Sequence, residues 1–418
     1  MNASASQTLP RPLAGVTVLD LTTALAGPFA TFLLAGLGAR VIKIENPLSP
    51  DTCRNNAPYI GKDGPRLARE QDDDISVSAI NRLRNKQAIT LNLKLPEARK
   101  IFADLVAKAD IVIDNFSRGT LEKLGVGYSF GSQINPRIIY CSITGFGSDG
   151  EPGGGKAMDA IIQALSGVMM TSGAEGDPPM RVGVPFADLC APVFGIVGVL
   201  AALHQARTTG KGQFVDVSML GVMTSMAACE PFDLLERCGV PQRTGQTVPR
   251  LAPFGIFQAS DGFVAICAPT EAFAAGLFKA MDRPELCADP RFHNRDARVV
   301  NVNELNRMIT DFTQKLTTAE LVAKLDANGV PAAPVRKPAE AFADPRVVAR
   351  GETVRLEHPK FGEVEEIYGM GLPIRFSGAT VGFDQPPPAI GEHNHTIYGE
   401  LLGYSEEKLR ALADGKII

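Results

Sequence analysis

A strand–helix–strand pattern that begins early in the chain and then repeats constrains the fold more than any other feature. From residue 15 the sequence reads GVTVLDLTTALAGPFATFLLAGLGARVIKIENP. Residues 16–21 are a β-branched apolar run suited to a strand, and residues 28–37 are an apolar stretch of helical length. Gly38 ends that helix, and residues 41–45 form a second strand-like run. A helical crossover of this length lets the two strands lie parallel. The pattern returns with strand-like residues 88–93, an amphipathic helix over 97–108, DIVIDNF at 110–116 and RIIYCSIT at 137–144. Such alternation predicts an α/β fold: a parallel sheet with helices on both faces, binding ligands at the carboxyl ends of its strands.

Further on, residues 160–170 and 191–206 read as helices flanking a Gly/Pro-rich stretch, and residues 214–219 resume a strand. Residues 239–250 lose periodicity, as a linker would. A hairpin around Asp261-Gly262 and amphipathic helices at 272–281 and 304–316 then predict a smaller α+β domain. VPAAPVRKP at 330–338 reads as a second linker, and a helix over 405–414 closes the chain. The length of 418 residues accommodates this plan. The larger domain is expected to be discontinuous, over 1–225 and 340–418. Residues 226–250 would be a linker, 251–328 the small domain and 329–339 the return linker.

Composition narrows the function. With 42 Lys and Arg against 46 Asp and Glu, the chain lacks the basic stripe that duplex nucleic acid requires. Its 7 cysteines form no CxxC pair and its histidines number 5, which argues against a zinc site and for a reducing, cytoplasmic setting. Residues 1–11 contain no apolar core of a secretory signal. The longest apolar run, 189–203, is interrupted by Pro192 and falls short of the roughly 20 residues that span a bilayer, so it reads as a buried helix.

Several positions are candidates for chemistry. Glu45 stands where the ribose-binding acid of a dinucleotide fold would be, yet the turn ALAGPFA lacks G-x-G-x-x-G. There is no G-x-S-x-G elbow. Asp188, in RVGVPFADLCAP, lies just ahead of the apolar run, where an aspartate ordinarily caps a helix but can also serve as a nucleophile. Arg82, Arg84 and Lys86 precede one strand, and Lys123 and Lys156 follow others; they are either solvated charges or phosphate ligands. His393 and His395 are too few for a metal site.

Taken together, the segments resemble the class III CoA-transferase family, which includes the formyl-CoA and carnitinyl-CoA enzymes. The resemblance rests on LAGVTVLDLTTALAGPFATFLLAGLGARVIKIENP, NKQAITLNLK, ADIVIDNF, INPRIIYCSITGFG, GVPFADLCAPVFGIVGVLAALHQARTTGKGQFVDVSM, APFGIFQASDGFVAI, FADPRVVARG and GEHNHTIYGELLGYSEEKLRAL, in the family's order. It implies that Asp188 is the catalytic nucleophile. It further implies a Rossmann-like large domain and an interlocked homodimer, with acyl-CoA and a small carboxylic acid as substrates and no tightly bound cofactor. The CoA-contacting positions it implies are Leu25, Ala26, Asn85, Lys86, Asn115, Phe116, Lys123, Leu124, Lys156, Ala157, Met158 and Asp159.

The chain departs from the family in places. Lys123 replaces an Arg of many relatives, Asn46 stands where several carry an adenosine-side Arg, and RTGQTVPR at 243–250 occupies the place of a glycine flap. Related α-methylacyl-CoA racemases use a histidine where this chain has Met158, which cannot act as a base. A non-catalytic CoA-binding protein is the other alternative. Arg181, Arg243 and Arg250 are candidates to hold a second substrate carboxylate, which leans the reading towards a dicarboxylyl donor such as succinyl-CoA.

Overall fold

In the computed structural model, which describes residues 9–149 and 156–418, the chain forms two compact units. The first comprises Met1–Ser166, Gly183–Met226 and Phe342–Ile418, and the second Gly167–Val182 and Ala227–Ala341. Residues 167–182 thus cluster with the second unit, although the sequence reading placed them in the larger domain.

The first unit is built on a parallel sheet of β1 (Thr17–Asp20), β2 (Arg40–Glu45), β3 (Lys86–Thr90), β4 (Ile111–Asp114), β5 (Ile139–Thr144) and β6 (Phe214–Ser218). Its order is β3-β2-β1-β4-β5-β6, and every adjacent pair is parallel. The order reverses between β1 and β4, so the connections leaving these neighbours diverge and open a crevice at their carboxyl ends. The connecting helices are α1 (Ala26–Gly36), α2 (Val77–Arg82), α3 (Pro96–Val106), α4 (Thr120–Lys123), α5 (Tyr128–Ile134), α6 (Asp159–Leu165) and α7 (Phe186–Thr209).

One face of the sheet carries Leu19, Ile42, Ile44, Ile89, Val112 and Tyr140, packed against Ile101, Phe102 and Leu105 of α3 and Leu409 of the C-terminal helix Glu406–Asp414. Pro96 starts α3 at a position whose N–H would lack a helical acceptor anyway. On the opposite face α1 and α7 pack together. Gly195 of α7 lies over β5 so closely that a Cβ there would come within 3.3 Å of Ile143. At 24 residues α7 is long and apolar enough to cross a membrane by length and composition. Here it is the crossover between β5 and β6, and it buries Ala187, Ala191, Ile196, Val199 and Leu203.

The second unit contains an antiparallel sheet of β7 (Phe254–Gln258), β8 (Phe263–Cys267) and β9 (Ala332–Pro334). Its core joins Phe257, Val264 and Ile266 to Leu277, Leu305 and Leu321 from three helices, Glu271–Ala280, Val302–Thr313 and Thr318–Asp326. β9 lies within the residues read as the return linker, and residues 226–250 include a helix, Phe232–Arg237.

Candidate active site

A buried charge cluster fixes the carboxyl end of β1. Asp20 is fully buried and pairs with Lys86 at 3.0 Å and Lys43 at 3.6 Å. It also accepts hydrogen bonds from the hydroxyls of Thr22 (2.5 Å) and Thr31 (2.6 Å). Burial disfavours its charge, but Lys43, Lys86 and the hydroxyls outweigh that and hold the carboxyl well below the usual range. The Lys86 ammonium donates to Asp20, to the Pro28 carbonyl (3.0 Å) and to Thr31 Oγ1 (2.8 Å), which accounts for its three protons. Lys86 therefore ties α1 to the sheet and has no donor left for a phosphate. Lys43 pairs with Asp51 at 2.9 Å, and Asp51 in turn accepts from the Ala24 N–H at 2.8 Å.

The turn between β1 and α1 is clamped from across the crevice. Asn115, one residue beyond β4, accepts from the Thr23 N–H (2.8 Å) and donates to the Thr23 carbonyl (2.9 Å). Gly27 is required beneath this clamp, because a Cβ would lie 2.3 Å from Thr22 and 2.9 Å from Asn115. Leu25 is the N-cap of α1 and makes no side-chain cap, so the first N–H groups of α1 face the carboxyl edge uncapped. Ala26 is buried and Leu25 half-buried. Asn85 adopts φ 59° and accepts from the N–H groups of Asp384 (2.9 Å) and Gln385 (2.7 Å), a structural role.

Phe116 and Leu124 pack against the sheet core, while Lys123 is exposed at the end of α4. Beside them a cavity of about 430 Å³ is lined by Asp114, Ser117, Thr120, Ser142, Thr144 and Phe214, among others. Burial pushes the Asp114 carboxyl up to about 7, although it accepts from the Phe116 N–H at 3.1 Å. Lys156 and Met158 are exposed, and Ala157 is half-buried against Gly145. The glycines at 153–155 lie outside the described residues.

Asp188 is not the cap of α7. The N-cap position is held by Pro185 without a side-chain bond, and Asp188 lies in the first turn. Asp159, at the start of α6, supplies the cap from another element. Its Oδ1 accepts from the N–H groups of Ala187 (2.8 Å) and Asp188 (3.4 Å), and its Oδ2 is held by Gln163 Nε2 at 2.8 Å. The half-buried Asp188 carboxylate accepts no hydrogen bond from the described residues. Burial first, and the neighbouring Asp159 charge second, push it up to about 6, against the opposing pull of Arg82. Pro192 has no N–H to offer the Asp188 carbonyl one helical turn back, which leaves that oxygen without its helical partner.

The structure thus brings Leu25, Ala26, Asn115 and Phe116 to the crevice edge and sets Asp159 against Asp188. It turns Asn85 and Lys86 inward to structural duties. Arg181, Arg243 and Arg250 belong to the second unit, where Arg250 pairs with Glu230 and Arg181 donates to the Val182 carbonyl. His393 accepts from the Ala88 N–H at 3.3 Å, and His395 pairs with Glu406 at 2.6 Å. Sequence reasoning missed the electrostatic link of Arg82 to Asp188, the hydroxyl-lined cavity at Asp114 and the Gln163 brace. Only Gln163 carried a local signal, its i,i+4 spacing from Asp159.

Sheet, crevice and a carboxylate without a hydrogen-bond donor among the described residues are those of an α/β enzyme with a crevice at the carboxyl edge of its parallel sheet. More particularly, the chain belongs to CoA-transferase family III, whose model matches residues 13–394, and it is a CoA-transferase. It is 32% identical over 408 residues to succinyl-CoA:glutarate CoA-transferase of Homo sapiens, covering 98% of this chain and 90% of that one. It is 34% identical over 420 residues to succinyl-CoA–D-citramalate CoA-transferase of Chloroflexus aurantiacus, covering 99% and 100%. Among solved structures, a CAIB/BAIF family protein from Brucella suis is similar with a TM-score of 0.79 at 33% identity, covering 94% of this chain and 100% of that chain.

Proposed function

We propose that the enzyme moves CoA from a dicarboxylyl thioester such as succinyl-CoA to a small free dicarboxylate, with Asp188 as nucleophile. The observation that carries this reading is the half-buried Asp188 carboxylate, held on the first turn of α7 and hydrogen-bonded to no described residue. Succinyl-CoA is the donor named for both relatives above.

The Asp188 carboxylate attacks the thioester carbonyl. The C–S bond breaks, the CoA thiolate leaves and a mixed anhydride forms. The thiolate then attacks the Asp188 carbonyl carbon, which expels the donor acid and leaves an aspartyl-CoA thioester. The acceptor carboxylate attacks that thioester, its C–S bond breaks, and a second anhydride forms with release of the CoA thiolate. The thiolate opens it at the acceptor carbonyl, restoring Asp188 and releasing the new acyl-CoA. One thioester replaces another, so the exchange runs without ATP. A carboxyl near 6 is mostly ionised at neutral pH and more basic than an ordinary aspartate, which suits a nucleophile.

CoA would lie along the carboxyl edge of the sheet, with Leu25, Ala26, Asn115 and Phe116 at the crevice and Lys123 as a point charge for a phosphate. Leu124 and residues 156–159 would complete the approach to Asp188. The sheet order is that of Rossmann-like domains. An interlocked homodimer fits the apolar residues exposed on α6 and α7, and the 7 free thiols fit a cytoplasmic setting. A racemase would need a base at position 158, where the exposed Met158 has none to offer. The deciding experiment is exchange of labelled succinate into succinyl-CoA by wild type and Asp188→Asn. Turnover by the variant near the wild-type rate would overturn the assignment.

A further inference from the structure

The segment 81–86, NRLRNK, places two cations ahead of β3 and a third, Lys86, at its first position, and the structure gives them different work. Lys86 is consumed by Asp20, Pro28 and Thr31. Arg84 donates to Asn81 Oδ1 (3.0 Å) and the Met370 carbonyl, and its guanidinium lies over the rings of Phe32 (5.2 Å) and Phe383 (4.9 Å). Arg82, the last residue of α2, is also buried, at 9% exposure, yet the one acceptor it meets among the described residues is the carbonyl of Ala24. A guanidinium has five N–H donors, and no Arg82 nitrogen is among the buried atoms left without a partner, so the donors that the Ala24 carbonyl does not take open onto accessible space.

Where that fork lies follows from the topology. Ala24 belongs to the turn that leads from β1 into α1, and α1 packs along α7. Both helices start at the carboxyl edge of the parallel sheet: α1 leaves the end of β1, and α7 ends by leading into the start of β6. Arg82 therefore reaches the end of the sheet at which Asp188 stands. Its charge acts on Asp188 but the two form no ion pair among the described residues, so the nucleophile is left unquenched. An anionic group several atoms away from a carbonyl held at Asp188 would meet the open side of the fork.

We infer that Arg82 is a specificity-determining residue: held by the Ala24 carbonyl, its guanidinium receives the distal carboxylate of a dicarboxylyl chain whose reacting carbonyl sits at Asp188. A planar fork matches a carboxylate in two parallel hydrogen bonds, which a lysine cannot reproduce. In a short diacid a few methylenes separate the reacting carbonyl from that second carboxylate. The inference rests on Asp188 being the acylated residue.

The test compares wild type, Arg82→Gln and Arg82→Lys with succinate and butyrate, acceptors of equal chain length that differ in the second carboxylate. Loss of charge-assisted hydrogen bonds predicts that Arg82→Gln lowers kcat/KM for succinate at least about tenfold more than for butyrate, mainly through KM. Arg82→Lys should fall between the two and carries the test if the glutamine variant does not fold. Equal losses for both acceptors, or no preference for succinate in wild type, would overturn the inference. Mass spectrometry of the wild type separates this from the underlying reading. An aspartyl-CoA adduct located away from Asp188 sinks the nucleophile assignment, whatever the acceptor ratio.

Discussion

Asp159 caps the helix turn that carries Asp188 and, through its charge, raises the pKa of Asp188. The cap binds the Ala187 and Asp188 N–H groups, and the like charge adds to burial in pushing the Asp188 carboxyl up to about 6. Because the nucleophile must be ionised, kcat/KM should be lost as pH falls through about 6 rather than through the ordinary carboxylate range. Asp159→Asn keeps an acceptor oxygen for the cap and removes the charge, so the acid limb should move to lower pH. Asp159→Ala should also destabilise the fold by about 1 kcal/mol through the lost cap. Rate profiles against pH and thermal melts of both variants check this. An unmoved acid limb in Asp159→Asn would rule out the electrostatic half of the relationship.

The second prediction separates a structural Lys86 from a phosphate ligand. Removing one member of a buried ion pair leaves the other uncompensated, so Lys86→Met should cost about 3–5 kcal/mol in urea denaturation. The Asp20 carboxyl is held low in the folded state, so its contribution is present above the usual carboxylate range and fades as pH falls below it. The variant should accordingly lose part of the protein's resistance to acid. A raised KM for acyl-CoA at unchanged stability would restore Lys86 to the CoA site.

The periodicity of residues 15–45 and 88–144 was enough to foresee the parallel strands and α3, because each of those elements declares itself within a dozen residues. The partners of the site residues do not. Asn85 and Lys86 resemble CoA contacts as a pair, but their hydrogen-bond partners lie far off in the chain: the Asp384 N–H that donates to Asn85 is 299 residues away, and the Asp20 carboxylate that accepts from Lys86 is 66 away. The cap of α7 comes from 28 residues upstream, whereas capping rules look to the adjacent residue, here Pro185. β9 was hidden by Pro331 and Pro334, which a strand tolerates at the edge of a sheet, where β9 pairs with β8 alone. What stayed illegible was the set of long-range polar partners, which follow from the folded topology and leave no spacing in the chain.

Asn115 gives the third prediction. Its two hydrogen bonds hold the backbone of Thr23, and with it the entry to α1, across the point where the sheet order reverses. Asn115→Ala should raise KM for acyl-CoA about tenfold, the equivalent of about 1.4 kcal/mol for the two lost bonds, with a smaller effect on kcat. Asn115→Asp keeps the acceptor for the Thr23 N–H but sets a carboxylate against the Thr23 carbonyl, so it should bind acyl-CoA no better than the alanine variant. Isothermal titration with CoA, together with steady-state kinetics, reads both. Wild-type affinity in Asn115→Ala would show that the turn is held by the Asp20 cluster alone.

The outer face of α7 carries the last prediction. Phe194 and Val197 are 48% and 64% exposed, and Ile161 and Leu165 on α6 are 47% and 58% exposed. Burying a side chain of this kind is worth about 1.5–3 kcal/mol, so several together supply the drive for a stable association. If the proposed homodimer forms through this face, Val197→Glu and Phe194→Glu bury an unpaired carboxylate and should shift the protein towards monomer in light scattering. Activity should fall with the dimer fraction, because in an interlocked dimer the chains hold each other in place. A charge on a face that stays in water would leave the oligomeric state unchanged. That outcome would confine the interface to other surfaces and leave α7 as a helix with one apolar side in solvent.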